Sequence, residues 1–384
     1  MNYRHAFHAG AFSDCMKHAL LVWLLDALQR KPTPLFVLDT HAGAGSYDLT
    51  GTPALRTGEA HTGIMRLLGA ADPAGRRTIA SGAARSVIPV MAGEGPPSTT
   101  LSAPAAQVSD AGPTPAMTTT DQCAPPTDSI GPTPALTRYL ELVRQLGLYP
   151  GSPALIRALL RPDDRLACCE LHPEDAAALR RRFARDRQVA VHQRDAWEAL
   201  GALLPPREKR SLVLIDPPFE HPDEFTHLAA GLVKGHSRVR TGVFAAWYPI
   251  KHRAPVRAFH TAIQAAGIRD VVAAELLLRE PLDPARLNGC GMLVINPPYR
   301  FETEASSILQ VLLRVLGNSP PSPAGYYMEA PVSLPHHDRA CLPRNTSGRG
   351  KRPAMTDEKA ATQPPYVRNS EPGAAAIVTR LTDE

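Results

Sequence analysis

Asp216-Pro217-Pro218-Phe219 closes the apolar run that starts at Ser211. A residue ahead of proline is confined to extended geometry, so Asp216 is expected at a strand tip. Two prolines stiffen the turn and lack N–H groups, which leaves their carbonyls as acceptors. The exocyclic amine of adenine or cytosine is a poor nucleophile, because its lone pair is delocalised into the ring. A carboxylate at Asp216 and the carbonyl of Pro217, each accepting one N–H, would turn that lone pair toward an electrophilic carbon. Phe219 would stack on an extruded base. Transfer is then an in-line displacement helped mainly by positioning.

A second acid-like turn, Asn296-Pro297-Pro298-Tyr299, competes for this role. Where the last strand of a parallel sheet forms an antiparallel hairpin with its neighbour, its tip points away from the edge where ligands collect. Asn296 is therefore expected on the wrong side, and Asp216 is the catalytic candidate.

The first apolar strand, L-F-V-L-D-T, runs into D-T-H-A-G-A-G (Asp39 to Gly45). Glycines such as Gly43 let the backbone approach a nucleotide-like ligand at the carboxyl edge of a parallel sheet. Asp48 stands where the dinucleotide fingerprint needs its third glycine, which argues against a pyrophosphate ligand. S-adenosylmethionine has no pyrophosphate and fits such a loop. Glu170, ending the next strand, suits two ribose hydroxyls as a carboxylate acceptor. It lies much further along than the roughly 20 residues of a simple nucleotide fold, so the intervening segment must loop out. Asp195, in R-D-A-W, could accept an adenine amino group; alternatively it caps a helix.

On residue type alone His18 and His41 are expected in core or capping roles, and His336-His337-Asp338 is expected to be solvated rather than metal-bound. Three basic runs, Arg180 to Arg185, Lys234 to Arg240 and Lys251 to Arg257, could hold phosphates. Each alone is more often a solvated helix face or loop.

Positioning these residues requires alternating strands and helices. Strands are expected at Leu35 to Thr40, Arg165 to Glu170, Val189 to His192, Ser211 to Asp216, Gly242 to Trp247, Val271 to Leu278 and Met292 to Asn296, with a last edge strand at Ala375 to Leu381. Helices fit at about Ser13 to Arg30 (capped by Ser13, with one mostly apolar face), Ala135 to Leu146, Pro153 to Leu160, Glu174 to Arg185, Asp223 to Lys234, Ala254 to Ala266 and Glu302 to Leu316. The alternation predicts an α/β fold with a mostly parallel sheet and helices on both faces.

The chain has 384 residues, 43% of them hydrophobic, and a net charge of +5, which permits a polyanionic partner without requiring one. Its 39 prolines are about twice the usual share. Roughly half fall in two Ala/Gly/Pro/Ser/Thr-rich stretches, about 73–132 and 317–373, which bury too little apolar surface to offset their ordering entropy and are expected to be disordered. The six cysteines form no C-x-x-C pair, so no zinc site and a cytoplasmic setting are expected. The polar N-terminus lacks a signal-peptide core, and no apolar run is long enough to span a membrane.

Y-R-H-A-F-H-A-G at Tyr3 to Gly10, the Lys17–His18 pair, L-D-T-H-A-G-A-G, Y-P-G-S-P at Tyr149 to Pro153, E-L-H-P at Glu170 to Pro173, L-I-D-P-P-F-E, W-Y-P at Trp247 to Pro249 and G-M-L-V-I-N-P-P occur in this order. Together they resemble the bacterial 23S ribosomal RNA adenine-N6 methyltransferase J family, over nearly everything but the two proline-rich stretches. The resemblance implies a class I methyltransferase domain, Rossmann-like, with a seven-stranded, mostly parallel sheet whose last strand is antiparallel, and a small inserted helical subdomain. Residues 1–52 and 149–316 would form the methyltransferase domain, 53–148 the subdomain, and 374–384 an edge strand.

The same resemblance implies Asp216 as catalytic acid and His18, His41, Ser152, Glu170, Asp195 and Ala196 as S-adenosylmethionine contacts, Ala196 standing where the family often has glycine. It implies Tyr3 as an RNA-contacting residue. Phe219 replaces the more usual tyrosine, which keeps stacking and loses a hydroxyl. The expected partner is 23S ribosomal RNA, free or partly assembled, bound by a monomer without metal. An N6-adenine or N4-cytosine DNA methyltransferase and a non-catalytic RNA-binding assembly factor share parts of the pattern.

Overall fold

The computed structural model describes residues 4–71, 132–317 and 373–381. The stretches expected to be disordered, and Tyr3, fall on residues outside these. The strands are β1 (Leu35–Asp39), β2 (Ser46–Tyr47), β3 (Tyr149–Pro150), β4 (Arg165–Cys169), β5 (Val189–His192), β6 (Arg210–Ile215), β7 (Val243–Ile250), β8 (Val271–Leu277), β9 (Gly289–Ile295) and β10 (Ala375–Leu381). The α-helices are α1 (Phe12–Gln29), α2 (Thr52–Thr57), α3 (Glu59–Thr62), α4 (Ile64–Ala71), α5 (Pro134–Gln145), α6 (Ser152–Leu159), α7 (Pro173–Arg182), α8 (Ala196–Ala202), α9 (Glu224–Arg238), α10 (Arg253–Ala265) and α11 (Phe301–Leu316).

Eight strands form one sheet in the order β10-β8-β9-β7-β6-β1-β4-β5. Strands β5, β4, β1, β6 and β7 pair in parallel. β9 is antiparallel to both β7 and β8, so β8 runs with the parallel set, and β10 is antiparallel to β8. These are the seven strands expected plus the terminal edge strand. All five residues of β1 and all seven of β8 and β9 are buried, as strands covered on both faces require. Alternate residues feed two cores: Val37 packs with α1, α5, α6 and α11, whereas Phe36 and Leu38 pack with α8, α9 and α10.

Two strand ends differ from expectation by three residues. β7 continues past Trp247 to Ile250, because β9 goes on pairing with it after β6 has ended at Ile215. β9 starts at Gly289 rather than Met292; Gly291 leaves room there for the Tyr248 side chain, which a Cβ would meet at 2.2 Å. Tyr248 thus crosses β9 and donates its hydroxyl to Glu275 of β8 at 3.0 Å.

α1 also differs. It starts at Phe12, with Ala11 as N-cap and no side-chain cap, so Ser13 does not cap it. Instead the Oδ2 of Asp14 accepts from the Gly10 amide at 3.0 Å. Nor does α1 present only one apolar face. Every residue from Asp14 to Leu25 is buried, between the sheet and helices α5, α6 and α11. Asp14, Lys17 and His18 are therefore polar groups on a helix with no solvent side, and each must find a partner inside the protein.

Candidate active site

The C-terminal ends of β1, β4, β5 and β6 meet around a cavity of about 400 Å³, within the range of small-molecule sites. Three local devices shape it. Gly43 and Gly45 take φ of +60° and +82°, the left-handed region that glycine adopts without penalty. A Cβ on Gly43 would lie 2.2 Å from the Tyr47 hydroxyl. The ribbon of β2 and β3 ties this loop to the Y-P-G-S-P segment, and the Gly151 amide donates to the Gly45 carbonyl at 3.1 Å. That docking carries Ser152, distant in sequence, to the tip of β1, where its hydroxyl donates to Asp39 Oδ2 at 2.7 Å.

Glu170 follows the last residue of β4. Its Oε2 accepts from the Gly43 amide and its Oε1 from the His172 amide, each at 2.7 Å. The carboxylate is thus fixed with further acceptor sites open to the cavity it lines. Burial raises its pKa, against the pull of those two amides. Asp195 caps α8, its Oδ1 accepting from the Glu198 amide at 3.0 Å, and it also lines the cavity. Ala196, the first residue of α8, lines it too.

His18 Nδ1 lies 3.0 Å from the Tyr149 hydroxyl, and burial lowers its pKa to about 3, so the ring is neutral. His41 lines the cavity with Nδ1 2.8 Å from Thr40 Oγ1 and 3.3 Å from the Asp216 amide; burial lowers its pKa to about 4. Asp39 is fully buried, and its Oδ1 has no partner among the described residues. Burial raises its pKa to about 7, Ser152 opposing and the nearby Asp216 adding to the rise.

Asp216 stands at the tip of β6, on this same edge, and lines the cavity with Pro218. Its Oδ2 receives Lys17 Nζ at 2.5 Å, and Lys17 also reaches Asp14 Oδ1 at 2.9 Å. His5 Nε2 lies 2.9 Å from Asp14 Oδ2, completing a row His5–Asp14–Lys17–Asp216. Burial alone would lower the Lys17 pKa, but Asp14 and Asp216 outweigh it and hold it well above the ordinary value. Asp14 is likewise held well below the usual carboxylate range, the charges of His5 and Lys17 outweighing its burial. Sequence reasoning named Lys17 and His5 only as parts of motifs and missed Asp14. The available signal was an i, i+3 acid–lysine pair inside an apolar helix.

Pro217 is buried behind the turn, and Phe219 does not line the cavity. Phe219 takes φ of +51° and sets its ring edge-on to Phe225 and Trp247, with centroids 4.9 and 5.9 Å away. Asn296 lies at the opposite edge of the sheet, as its strand direction predicts. Its Nδ2 donates to the carbonyls of Arg240 and Gly242 at 2.8 Å each, just before β7 begins.

The donor set fits S-adenosylmethionine. Glu170 offers a preset acceptor for a vicinal diol, Asp195, Ala196 and Ser152 border the same space, and Asp39, bonded to Ser152, keeps one buried oxygen without a hydrogen-bond partner among the described residues.

Sheet order, glycine loop and the two acids after β4 and β6 define a class I S-adenosylmethionine-dependent methyltransferase. The family model for ribosomal RNA large subunit methyltransferase D, RlmJ, matches residues 32–76 and 132–326. The chain is 32% identical over 315 residues to ribosomal RNA large subunit methyltransferase J of Escherichia coli K12, covering 80% of this chain and 91% of that one. It is 31% identical to the Haemophilus influenzae protein of the same name, over 82% and 94% of the two chains. The crystal structure of LPL1258 from Legionella pneumophila superimposes with a TM-score of 0.60 at 28% identity, covering 81% of this chain and 94% of that one. The chain belongs to the ribosomal RNA large subunit methyltransferase J family.

Proposed function

We propose that this protein methylates the exocyclic N6 of an adenine in 23S ribosomal RNA, acting as a monomer on free or partly assembled RNA. The observation that carries the reading is the placement of the Asp216 carboxylate. It stands on the cofactor edge of the sheet, anchored through one oxygen by a buried cation, beside a cavity whose other acids suit a nucleoside.

S-adenosylmethionine supplies a methyl carbon made electrophilic by its sulfonium. Glu170 would bind the ribose hydroxyls, Asp195 the adenine amino group, and Ser152 and His18 would border the methionine end. Lys17 holds Asp216 Oδ2, leaving Oδ1 for one N–H of the target amine, while the Pro217 carbonyl takes the other. This aligns the lone pair and gives the departing proton an acceptor at Asp216. The target base must leave its stack to arrive there, and Phe219, with Trp247 behind it, offers a ring to receive it. Tyr3 would meet the RNA.

Incubating the protein with unmodified 23S ribosomal RNA and labelled S-adenosylmethionine, followed by nucleoside analysis, tests this. N6-methyladenosine is expected, and Asp216→Asn should lower the rate about 10²-fold or more while cofactor affinity is kept. Methylation of duplex DNA in preference to the RNA, or an unchanged rate in Asp216→Asn, would overturn it.

A further inference from the structure

The three basic runs are indistinguishable in sequence, but the fold sends them to different places. In the first, Arg182 is bonded to Ser46 Oγ at 2.9 Å and Arg180 lies 3.3 Å from Gln193 Oε1. In the second, Lys234 and Arg238 donate to the carbonyls of Trp197 and Leu204 at 2.7 and 2.9 Å. That run ends at Arg240, beside Asn296 on the edge opposite Asp216. The third run, Lys251 to Arg257, leaves the sheet at the C-terminal end of β7, on the catalytic edge.

Its position follows from register. Ile215 of β6 pairs with Ala246 of β7, so Trp247 stands level with Asp216. Lys251 lies four residues further along the same line, roughly 13 Å beyond at strand rise. Phe219 packs against Trp247, so the D-P-P-F turn leans toward this side. Arg257 follows within α10 and is exposed.

A second segment joins this surface. The connection from β8 to β9 carries Arg286, also exposed, and it is latched to the end of β7 by buried Asn288. Asn288 Nδ2 donates to the carbonyls of Lys251 and Asp283 at 2.8 and 2.7 Å. Asp283, three residues before Arg286, accepts from the Ala285 amide through Oδ1 at 2.9 Å. Arg253 leans toward Glu275, 3.9 Å away. Among the described residues Lys251, Arg257 and Arg286 pair with no carboxylate. Three exposed cations that form no ion pair among the described residues, carried by the segments that follow β7 and join β8 to β9, offer a polyanion a site that costs no existing ion pair.

We propose that Lys251, Arg257 and Arg286 form the surface that receives the phosphates of the RNA strand flanking the target adenine. The inference rests on the RNA-methylating function and names where the substrate's backbone lies. The polar latch at Asn288 fixes the two segments, so the surface is preformed rather than assembled on binding.

The test compares K251A/R257A/R286A with the charge-matched R187A/K209A/R240A. The control removes three exposed cations that precede β5, β6 and β7 on the opposite edge. Binding of a 23S ribosomal RNA fragment is measured across a salt series, with S-adenosylmethionine affinity as the check on folding. The catalytic-edge variant should bind RNA about tenfold or more weakly near physiological salt, and its salt slope should fall by about 2–3. Its KM for RNA should rise while kcat at saturating RNA stays unchanged. The control should match the unaltered protein. Equal RNA affinity and salt slope in the catalytic-edge variant, or an equal loss in the control, overturns the surface and leaves the function standing. An unaltered protein that binds and methylates no RNA overturns the function, and the surface with it.

Discussion

Lys17 and Asp14 sit on a helix that has no solvent side, and their charges are tolerated only because they meet. Removing one partner of a buried pair leaves the other uncompensated, at a cost of about 3–5 kcal/mol. The two residues are not equivalent, however. Without Lys17, Asp14 keeps His5 and the Gly10 amide, and Asp216 reaches solvent with 15% of its side chain exposed. Without Asp14, the ammonium of Lys17, only 5% exposed, keeps a single carboxylate. Asp14→Ala should therefore destabilise the fold by about 3 kcal/mol or more, and Lys17→Met by less. Urea midpoints of the two variants give the ranking, and the reverse order would contradict the assignment of Asp14 as the anchor.

At the scale of elements, the two D/N-P-P turns differ in what their strands do rather than in their own composition. Asn296 closes the far edge by bonding two carbonyls ahead of β7. Asn296→Ala should cost about 1–3 kcal/mol of stability and leave methyl transfer within twofold of the unaltered rate. A loss of transfer like that of Asp216→Asn, at unchanged stability, would place chemistry on the wrong edge. Gly291→Ala sets a methyl group into the Tyr248 ring at 2.2 Å. About 1–3 kcal/mol of stability should be lost to overpacking, and Tyr248→Phe in the same chain should recover little, since the ring remains. Thermal unfolding of the single and double variants checks both points.

These elements also show where the sequence was legible. Strands β1, β4 and β6 carry uninterrupted apolar runs ending in an acid, and their positions could be read to within a residue. The ends of β7 and β9 could not, because Pro249 and the glycines at 289 and 291 break the local pattern while cross-strand pairing continues. The short helix α8 gave too few turns for a periodicity. Glu170, Asp195 and Asp216 were legible because each follows a strand. Asp14 was not, since only the packing of α1 between other helices turns a surface-looking acid into a buried one.

At the scale of the molecule, several titratable groups are held away from their ordinary ionisation. Burial lowers the pKa of His18 to about 3 and those of His41 and His260 to about 4. Burial raises that of Asp39 to about 7. Between pH 6.5 and about 4 the unfolded chain binds a proton at each of these histidines and the folded chain does not, so stability falls as pH falls. Asp39 opposes this, being protonated in the folded state over most of the same window. Of these four groups the three histidines outnumber the one acid, so together they lower stability as pH falls from 6 to 5. Urea unfolding at several pH values measures it, and flat stability over that interval would contradict the assignment of neutral buried rings. No helix among the described residues is long and apolar enough to cross a membrane.

The tyrosine that reaches across β9 couples two positions 43 residues apart, since position 248 needs the bare backbone at position 291. Selection cannot enlarge one without shrinking the other. Among relatives, a side chain at the second position should therefore coincide with a smaller residue at the first, and with loss or replacement of the acid corresponding to Glu275. Divergence at these sites should proceed in joint steps, leaving a covariance that owes nothing to catalysis.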